Sequence, residues 1–182
     1  EQTLFDGVAV LDVTYFENRI TNLIQGAGNT AVNLAGVTDV RGVEVSALGH
    51  LTEATTLRGQ FTWTDGEDAA GANLIRRPDI VASLNLAHRF LDARALVDVG
   101  VDYHGEQEDI AFSNFFIDQT RVTLDDYVLV NLAASYEVAD GVEVFGRLEN
   151  LLDEEYQDVF GFANPGIGAF VGVRAKFGVG GK

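Results

Sequence analysis

Long stretches of this sequence alternate apolar and polar residues one by one, and this alternation restricts the fold more than any other feature. Between residues 95 and 104 the odd positions carry alanine, three valines and a tyrosine, whereas the even positions carry leucine, two aspartates, glycine and histidine. Because successive side chains of a strand point to opposite faces, the pattern predicts strands with one apolar and one mainly polar face. The predicted strands are eight, at roughly 5–16, 38–51, 55–65, 79–90, 93–104, 126–138, 142–151 and 167–177.

The predicted strands are long, and the connections between them alternate in length. Strands of soluble proteins typically have ~5–6 residues, whereas ~9–11 residues cross a bilayer at a tilt. Connections after the second, fourth and sixth strands are short, and the others are long: 17–37, 65–78, 105–125 and 152–166. Short periplasmic turns and long extracellular loops are typical of outer-membrane barrels. The sequence therefore predicts an all-β fold, an antiparallel transmembrane β-barrel meander of eight strands.

Aromatic residues with the parity of the apolar face lie near both ends of the predicted strands. They are Tyr15, Trp63 and Tyr103 at the loop ends and Phe90, Tyr136 and Phe177 at the turn ends. Two such rows are what two membrane interfaces select. Amphipathic strands also build soluble sandwiches and lipocalin-like barrels, in which the apolar parity would point inward. Strand length, loop asymmetry and aromatic placement together favour the membrane barrel over a soluble binder.

Composition excludes several functions. The formal charge of −16 argues against nucleic-acid binding, which needs a basic surface. The absence of cysteine rules out thiolate metal sites and cysteine nucleophiles. Glu143 and Glu149 lie six residues apart on one strand face, about 20 Å, which is too far for a glycosidase pair. No nucleophile elbow or phosphate-binding loop is present, so we predict neither an enzyme nor a bound cofactor.

The last third of the sequence contains a distinctive segment. Residues 147–156 read RLENLLDEEY, residues 161–166 read GFANPG, and a final strand ends at Phe177. The segment resembles the C-terminal end of TonB-dependent outer-membrane receptors, in which the penultimate strand ends in N-L-x-D-x-x-Y. The corresponding residues here are Asn150, Leu151, Asp153 and Tyr156. GVEV from residue 42 and RRPD from residue 76 also resemble that family, the second most closely its branch of cobalamin and siderophore receptors.

This resemblance, which covers essentially the whole chain, implies both a location and partners. It implies residence in the bacterial outer membrane, contact with outer-membrane lipid, and a terminal aromatic, here Phe177, that the barrel-assembly machinery reads. Residues 1–177 would be a barrel segment and 178–182 a tail. Receptors of this family are ~22-stranded barrels with a plug in the lumen. Eight strands are about a third of such a barrel, and nothing in the sequence resembles a plug.

Two interpretations of the barrel remain open at this point. In the first, the chain is the C-terminal part of a receptor for TonB-dependent uptake of a metal chelate, either a ferric siderophore or cobalamin. The full receptor would bind that small ligand and an energy-coupling periplasmic partner. In the second, the chain is a stand-alone eight-stranded barrel that serves as an anchor, adhesin or scaffold.

Physical chemistry gives separate expectations for individual residues. Asn150 and Asp153, placed where a strand ends, can bond nearby backbone and terminate the ladder. Gly168 and Gly172 are small and face inward, which predicts free room in the lumen. Aromatic residues in two loops are candidate ligand contacts, because exposed apolar clusters mark contact surfaces. These candidates are Phe112, Phe115 and Phe116 in one loop and Phe160 and Phe162 in the last loop.

Acidic residues cluster in the loop that contains residues 104–109. Carboxylates can bind hard cations, but the spacing lacks the order of an EF-hand loop, so a solvated acidic loop is favoured and no metal site is predicted. His50 and His88 stand alone and are predicted to be ordinary surface residues. The acids of this loop can also bridge divalent ions to lipopolysaccharide in the outer leaflet. They include Glu106, Glu108, Asp109 and Asp118.

Overall fold

A computed structural model of the chain describes residues 1–27, 30–113 and 118–176. Within these ranges it contains thirteen strands and a 3-10 turn at Phe5–Gly7. The strands are β1 (Gln2–Leu4), β2 (Ala9–Thr21), β3 (Ile24–Ala27), β4 (Thr30–Asn33), β5 (Val37–His50), β6 (Thr55–Glu67), β7 (Ile80–Phe90), β8 (Ala95–His104), β9 (Gln107–Ser113), β10 (Asp118–Leu124), β11 (Tyr127–Ala139), β12 (Val142–Glu149) and β13 (Gly168–Ala175). In these described parts of the chain, no helix is long and apolar enough to cross a membrane.

One antiparallel sheet of nine strands forms the body of the molecule. Its order is β1-β2-β5-β6-β7-β8-β11-β12-β13. Eight of the nine overlap the predicted strands, so the all-β antiparallel fold is confirmed, whereas the predicted count of eight is not, because the described sheet has nine strands. The ninth, β1, has three residues and pairs only with β2. Among the described residues the sheet does not close, because β1 and β13 form its two edges.

The first long strand differs most from its predicted bounds. Predicted at 5–16, it runs as β2 from Ala9 to Thr21. The 3-10 turn at Phe5–Gly7 delays its start. Its end is extended because pairing with β5 continues to the Thr21–Val37 pair, beyond the last apolar alternation.

The pairing register keeps the two side-chain sets on opposite faces of the sheet. Val45 lies opposite Val13 and Phe61, whereas Glu44 lies opposite Thr14 and Thr62. No described part of the chain forms a second layer over the apolar face, and Val171 on β13 is 83% exposed. Such a face is suited to lipid chains, which replace the missing layer.

Two of the long loops contain β-hairpins that the alternation does not predict. The predicted loop 17–37 contains β3 and β4, paired from Ile24–Asn33 to Ala27–Thr30. The predicted loop 105–125 contains β9 and β10, paired over seven positions from Asp118–Ser113 to Leu124–Gln107. At the other end of the sheet the turns are short, and Gly141, with φ +72°, supplies the left-handed residue of the β11–β12 hairpin.

Glycines on the polar face of the sheet accommodate aromatic rings. A Cβ at Gly172 would lie 2.5 Å from Cζ of Phe145, and a Cβ at Gly168 would lie 3.2 Å from Cε2 of Phe170. The expectation that these glycines leave free room in the lumen is therefore wrong, because rings fill the space. Phe16 covers Gly42 in the same way, on the same face but near the other edge of the sheet.

Substitution of Gly42 by alanine tests this packing. The added methyl group would clash with the carbonyl oxygen of Trp63 and the ring of Phe16. We expect Gly42→Ala to lower the free energy of unfolding by about 1–3 kcal/mol, measured by urea titration of the protein in detergent micelles.

Gly100→Ala is the matched control, on the same face in mid-strand. A Cβ there lies 3.8 Å from Asn85 and 4.0 Å from Asn131, which is ordinary contact. Equal stability of the two variants would contradict the packing argument.

Candidate ligand-binding loops

The loop between β12 and β13, residues 150–167, is fixed at its start by two polar side chains. Oδ1 of Asn150 accepts the Glu154 N–H at 2.8 Å, and its amide donates to the Glu154 carbonyl at 2.9 Å. Oδ1 of Asp153 accepts the N–H of Ile167 at 2.9 Å and so bonds the far end of the loop. Asn150 and Asp153 have φ near +50°, a conformation that Asn and Asp tolerate. The ladder ends here because side chains replace the neighbouring strand as bonding partners.

The other two residues of the N-L-x-D-x-x-Y segment bind the loop to the sheet. Leu151 donates its N–H to the carbonyl of Val130 at 2.7 Å. The ring of Tyr156 lies 4.4 Å from that of Tyr127, which stacks on His104 at 4.8 Å. Burial of Tyr156 and the nearby carboxylate of Asp158 raise the pKa of its phenol, so the phenol is neutral at physiological pH.

Asp158 connects the last loop to two other elements. Its Oδ1 accepts the phenol proton of Tyr127 at 2.6 Å, and its Oδ2 accepts from Asn164 at 2.9 Å. Its backbone carbonyl accepts from the side chain of Gln107, on β9, at 3.0 Å. The last loop therefore contacts both β11 and the β9–β10 hairpin.

A buried carboxylate connects three loops. Asp109, on β9, is 0% exposed and bonds Nε of Arg76 at 2.8 Å through Oδ1. Its Oδ2 accepts the backbone N–H of Phe160 at 2.7 Å. Burial alone would favour the neutral acid, but the N–H groups of Phe160 and Ile110 together with Arg76 hold the pKa of Asp109 below its ordinary value. The ionised form is therefore the one that this site stabilises.

The loop after β6 has its own internal carboxylate. Oδ1 of Asp68 accepts the N–H groups of Ala70 and Ala72, both at 2.9 Å. These two bonds lower the pKa of Asp68. Arg121, on β10, donates to the carbonyl of Asn73 at 2.6 Å and so links this loop to the hairpin.

A cavity of about 540 Å³, lined by both polar and apolar side chains, lies below these loops on the polar face of the sheet. Within it Asn85 donates to Asp98 at 2.5 Å and Asn131 donates to Asp102 at 3.0 Å. Tyr156, from the last loop, also lines the cavity. The cavity therefore joins the last loop to the polar wall.

The structure describes three of the five candidate ligand-contact residues. Phe112 is half-buried on β9, Phe160 is exposed, and Phe162 is 72% exposed. Phe112 lies on the same strand as Asp109, and Phe160 lies in the last loop, whose backbone bonds to Asp109. Phe162 projects from a tight turn in which its N–H donates to the Val159 carbonyl. The remaining candidates, Phe115 and Phe116, lie outside the described residues, as do Phe177 and residues 178–182.

The prediction of a solvated acidic loop is wrong for Asp109. Its carboxylate is buried against Arg76, and Glu108 lies 3.6 Å from Arg121. Within the described ranges, no group of three or more His, Asp or Glu side chains is arranged to hold a metal ion. His50 and His88 instead contact threonine hydroxyls.

Sequence reasoning missed the roles of Arg76, Asp109, Asp158 and Tyr127. Arg76 and Asp109 are 33 residues apart, and loops without periodicity give no register from which to pair them. The only sequence signal near Arg76 is the RRPD segment, which resembles the receptor family but does not indicate a partner for the arginine. A buried partner for its first arginine could not be inferred from it.

Comparison with known proteins places these features in a wider group. Residues 2–151 match the family described as TonB dependent receptor-like, beta-barrel. A "Vitamin B12 transporter BtuB" of Vibrio cholerae is 30% identical over 163 residues, which cover 87% of this chain and 25% of that protein. The BtuB of Photobacterium profundum is 30% identical over 153 residues, 79% of this chain and 24% of that protein. The chain thus spans about a quarter of the length of these curated relatives.

Solved structures agree on the fold. The ferripyoverdine receptor of the Pseudomonas aeruginosa outer membrane superposes with a TM-score of 0.78 at 20% identity, over 96% of this chain and 26% of that one. The ferric-catecholate import receptor Fiu of Escherichia coli K12 gives 0.77 at 19% identity, over 96% of this chain and 26% of that one.

Fold and loops together define a wall segment of a bacterial outer-membrane barrel. The chain belongs to the TonB-dependent receptor family, in its β-barrel region, and its location is the outer membrane.

Replacement of Asn150 tests the anchor of the last loop. Asn150→Ala removes the bonds to Glu154 and leaves half-buried backbone groups unpaired. We expect the free energy of unfolding to fall by about 1–3 kcal/mol, and protease cleavage within residues 150–167 to become faster. The measurements are urea titration of the purified receptor and timed proteolysis.

Leu152→Ala is the control, since Leu152 is an exposed side chain of the same loop. Its unfolding and cleavage should match those of the wild type. If Asn150→Ala behaves like this control, Asn150 does not anchor the loop.

Proposed function

We propose that this chain forms part of the barrel wall of a receptor for energy-coupled uptake of a metal chelate, a ferric siderophore or cobalamin. The observation that carries the proposal is the joined set of extracellular loops above a cavity of mixed polar and apolar lining on the inner wall. Relatives named as vitamin B12 transporters and a fold shared with siderophore receptors support the same class of ligand.

The proposed mechanism is binding without covalent chemistry. Aromatic rings of the loops contact the ligand, and polar groups of the wall line its path. Aromatic rings are suited to this task, because they offer large contact area with little loss of conformational entropy. The candidate contacts among the described residues are Phe112, Phe160 and Phe162.

The whole receptor supplies what the wall does not. In this proposal residues 1–177 are a barrel segment followed by the tail 178–182, a plug elsewhere in the receptor fills the lumen, and an energy-coupling periplasmic protein moves it. The barrel-assembly machinery inserts the chain, and outer-membrane lipid covers the apolar face. The two edges of the sheet, β1 and β13, would leave backbone groups unpaired in lipid, which favours a larger barrel over a stand-alone one.

Gene deletion in the host bacterium tests the proposal. We expect loss of uptake of one of three probes: ⁵⁷Co-cyanocobalamin, a ⁵⁵Fe-loaded catecholate or a ⁵⁵Fe-loaded hydroxamate. A protonophore should abolish the same uptake in the wild type, since transport against a gradient needs energy. Unchanged uptake of all three probes after deletion would contradict this function.

Substitution of Phe162 tests the loop contact. Loss of one exposed aromatic contact is worth about 1–2 kcal/mol, so Phe162→Ala should raise the half-saturation concentration for uptake by about tenfold. The maximal rate per surface receptor should stay unchanged, because the barrel is intact. Phe5→Ala is the matched control, an exposed phenylalanine at the short-turn end. Equal half-saturation in the two variants would remove Phe162 from the ligand site.

A further inference from the structure

We propose that Asp109 is a positioning residue that holds three extracellular loops as one body for ligand capture. The three are the loop after β6, which contains Arg76, the β9–β10 hairpin, and the β12–β13 loop. The part of this inference that concerns ligand capture rests on the proposed function. The joining of the loops does not, and it is measurable without any ligand.

The two oxygens of Asp109 bond two different loops. Oδ1 contacts Nε of Arg76 at 2.8 Å, and Oδ2 accepts the N–H of Phe160 at 2.7 Å. Arg76 is held a second time, because its backbone N–H donates to the carbonyl of Glu108 at 2.7 Å. Its left-handed backbone, φ +57°, accompanies this double attachment to neighbouring residues of β9. The loop after β6 and the β12–β13 loop are therefore both bonded to residues 108–109 of the β9–β10 hairpin.

Burial makes this junction costly to open. The carboxylate of Asp109 is 0% exposed, whereas the side chain of Arg76 is 45% exposed. A buried carboxylate that loses its cation and its N–H donor is left as an unpaired charge in a medium of low polarity. The loops consequently separate only if Asp109 also reaches water.

Other side-chain contacts between these loops are less buried and therefore cost less to break. Gln107 donates to the carbonyl of Asp158, and Arg121 donates to the carbonyl of Asn73, but both bonds are exposed to solvent. Water replaces such bonds at little cost. Among the described contacts between the loops, those of Asp109 therefore restrain their relative motion most.

The junction fixes the spacing of candidate ligand contacts. Phe160 is bonded to Asp109 through its own backbone, and Phe112 lies three residues from Asp109 on β9. A ligand that touches both rings needs both loops in place at once. The apparent affinity then falls in proportion to the fraction of receptors with the loops joined.

Spin-label distances test the junction directly. The chain contains no cysteine, so cysteines introduced at Ala70 and Ala163, both exposed, carry the two labels. The whole receptor is used, and the receptor without these cysteines gives the background. We expect one narrow distance distribution in the wild type and loss of that narrow peak in Asp109→Asn.

Two further variants make the result specific. Arg76→Gln removes the cation while Asp109 stays, and it should also broaden the distance distribution. This variant tests the junction independently if Asp109→Asn fails to fold. Asp118→Asn neutralises an exposed carboxylate of the same hairpin and should leave the narrow peak unchanged. A narrow peak in both Asp109→Asn and Arg76→Gln would overturn the proposal.

Uptake kinetics test the positioning role. With the probe that the wild type takes up, Asp109→Asn should raise the half-saturation concentration by about tenfold, with the maximal rate per surface receptor unchanged. A purely structural defect would lower the amount of surface receptor instead. Broadened distances with an unchanged half-saturation concentration would also overturn the proposal. If the wild type takes up none of the probes, the proposed function fails, and the spin-label result alone decides whether Asp109 joins the loops.

Discussion

Pairing of backbone groups is the constraint on which the rest of this structure depends. In lipid, an unpaired N–H or C=O costs several kcal/mol, so only helices and closed barrels span membranes. From β5 to β12 the main sheet satisfies this requirement strand by strand, because each of its strands is paired on both sides. The same pairing sets the register, and the register places every lipid-facing side chain on one face. The end of each strand pair determines where a loop begins, and therefore where the loops and the cavity below them lie.

The sequence was most informative where residues face lipid. The strand expected at 55–65 is Thr55–Glu67, and the strand expected at 142–151 is Val142–Glu149. It was least informative where strands leave the membrane. Beyond Phe16, β2 continues through charged residues, and β9 begins with three polar residues and β10 with four, so the apolar alternation is short although pairing continues. Hydropathy records the environment of a strand, and not its hydrogen bonds.

Some residues of the loop site could be interpreted from the sequence, and others could not. The ladder-ending positions of Asn150 and Asp153 could be interpreted from strand-end chemistry, because their partners lie within the same loop. Asp109 could not be interpreted, because its partners belong to two other loops, 33 and 51 residues away. Its burial in a segment rich in acids contradicts the expectation from local composition. Long-range pairing of charged side chains in loops is decided by the fold and leaves no periodic trace.

The rings that cover glycines on the inner face also bear on how such a wall changes over evolutionary time. Phe145 and Gly172 sit opposite each other on neighbouring strands, as do Phe16 and Gly42. A side chain gained at the glycine meets the ring, and a ring lost from its partner exposes bare backbone to the lumen. Neither position is free to vary alone. Each ring and its glycine are therefore expected to be inherited as a pair, so that substitutions on the inner wall occur at both positions together.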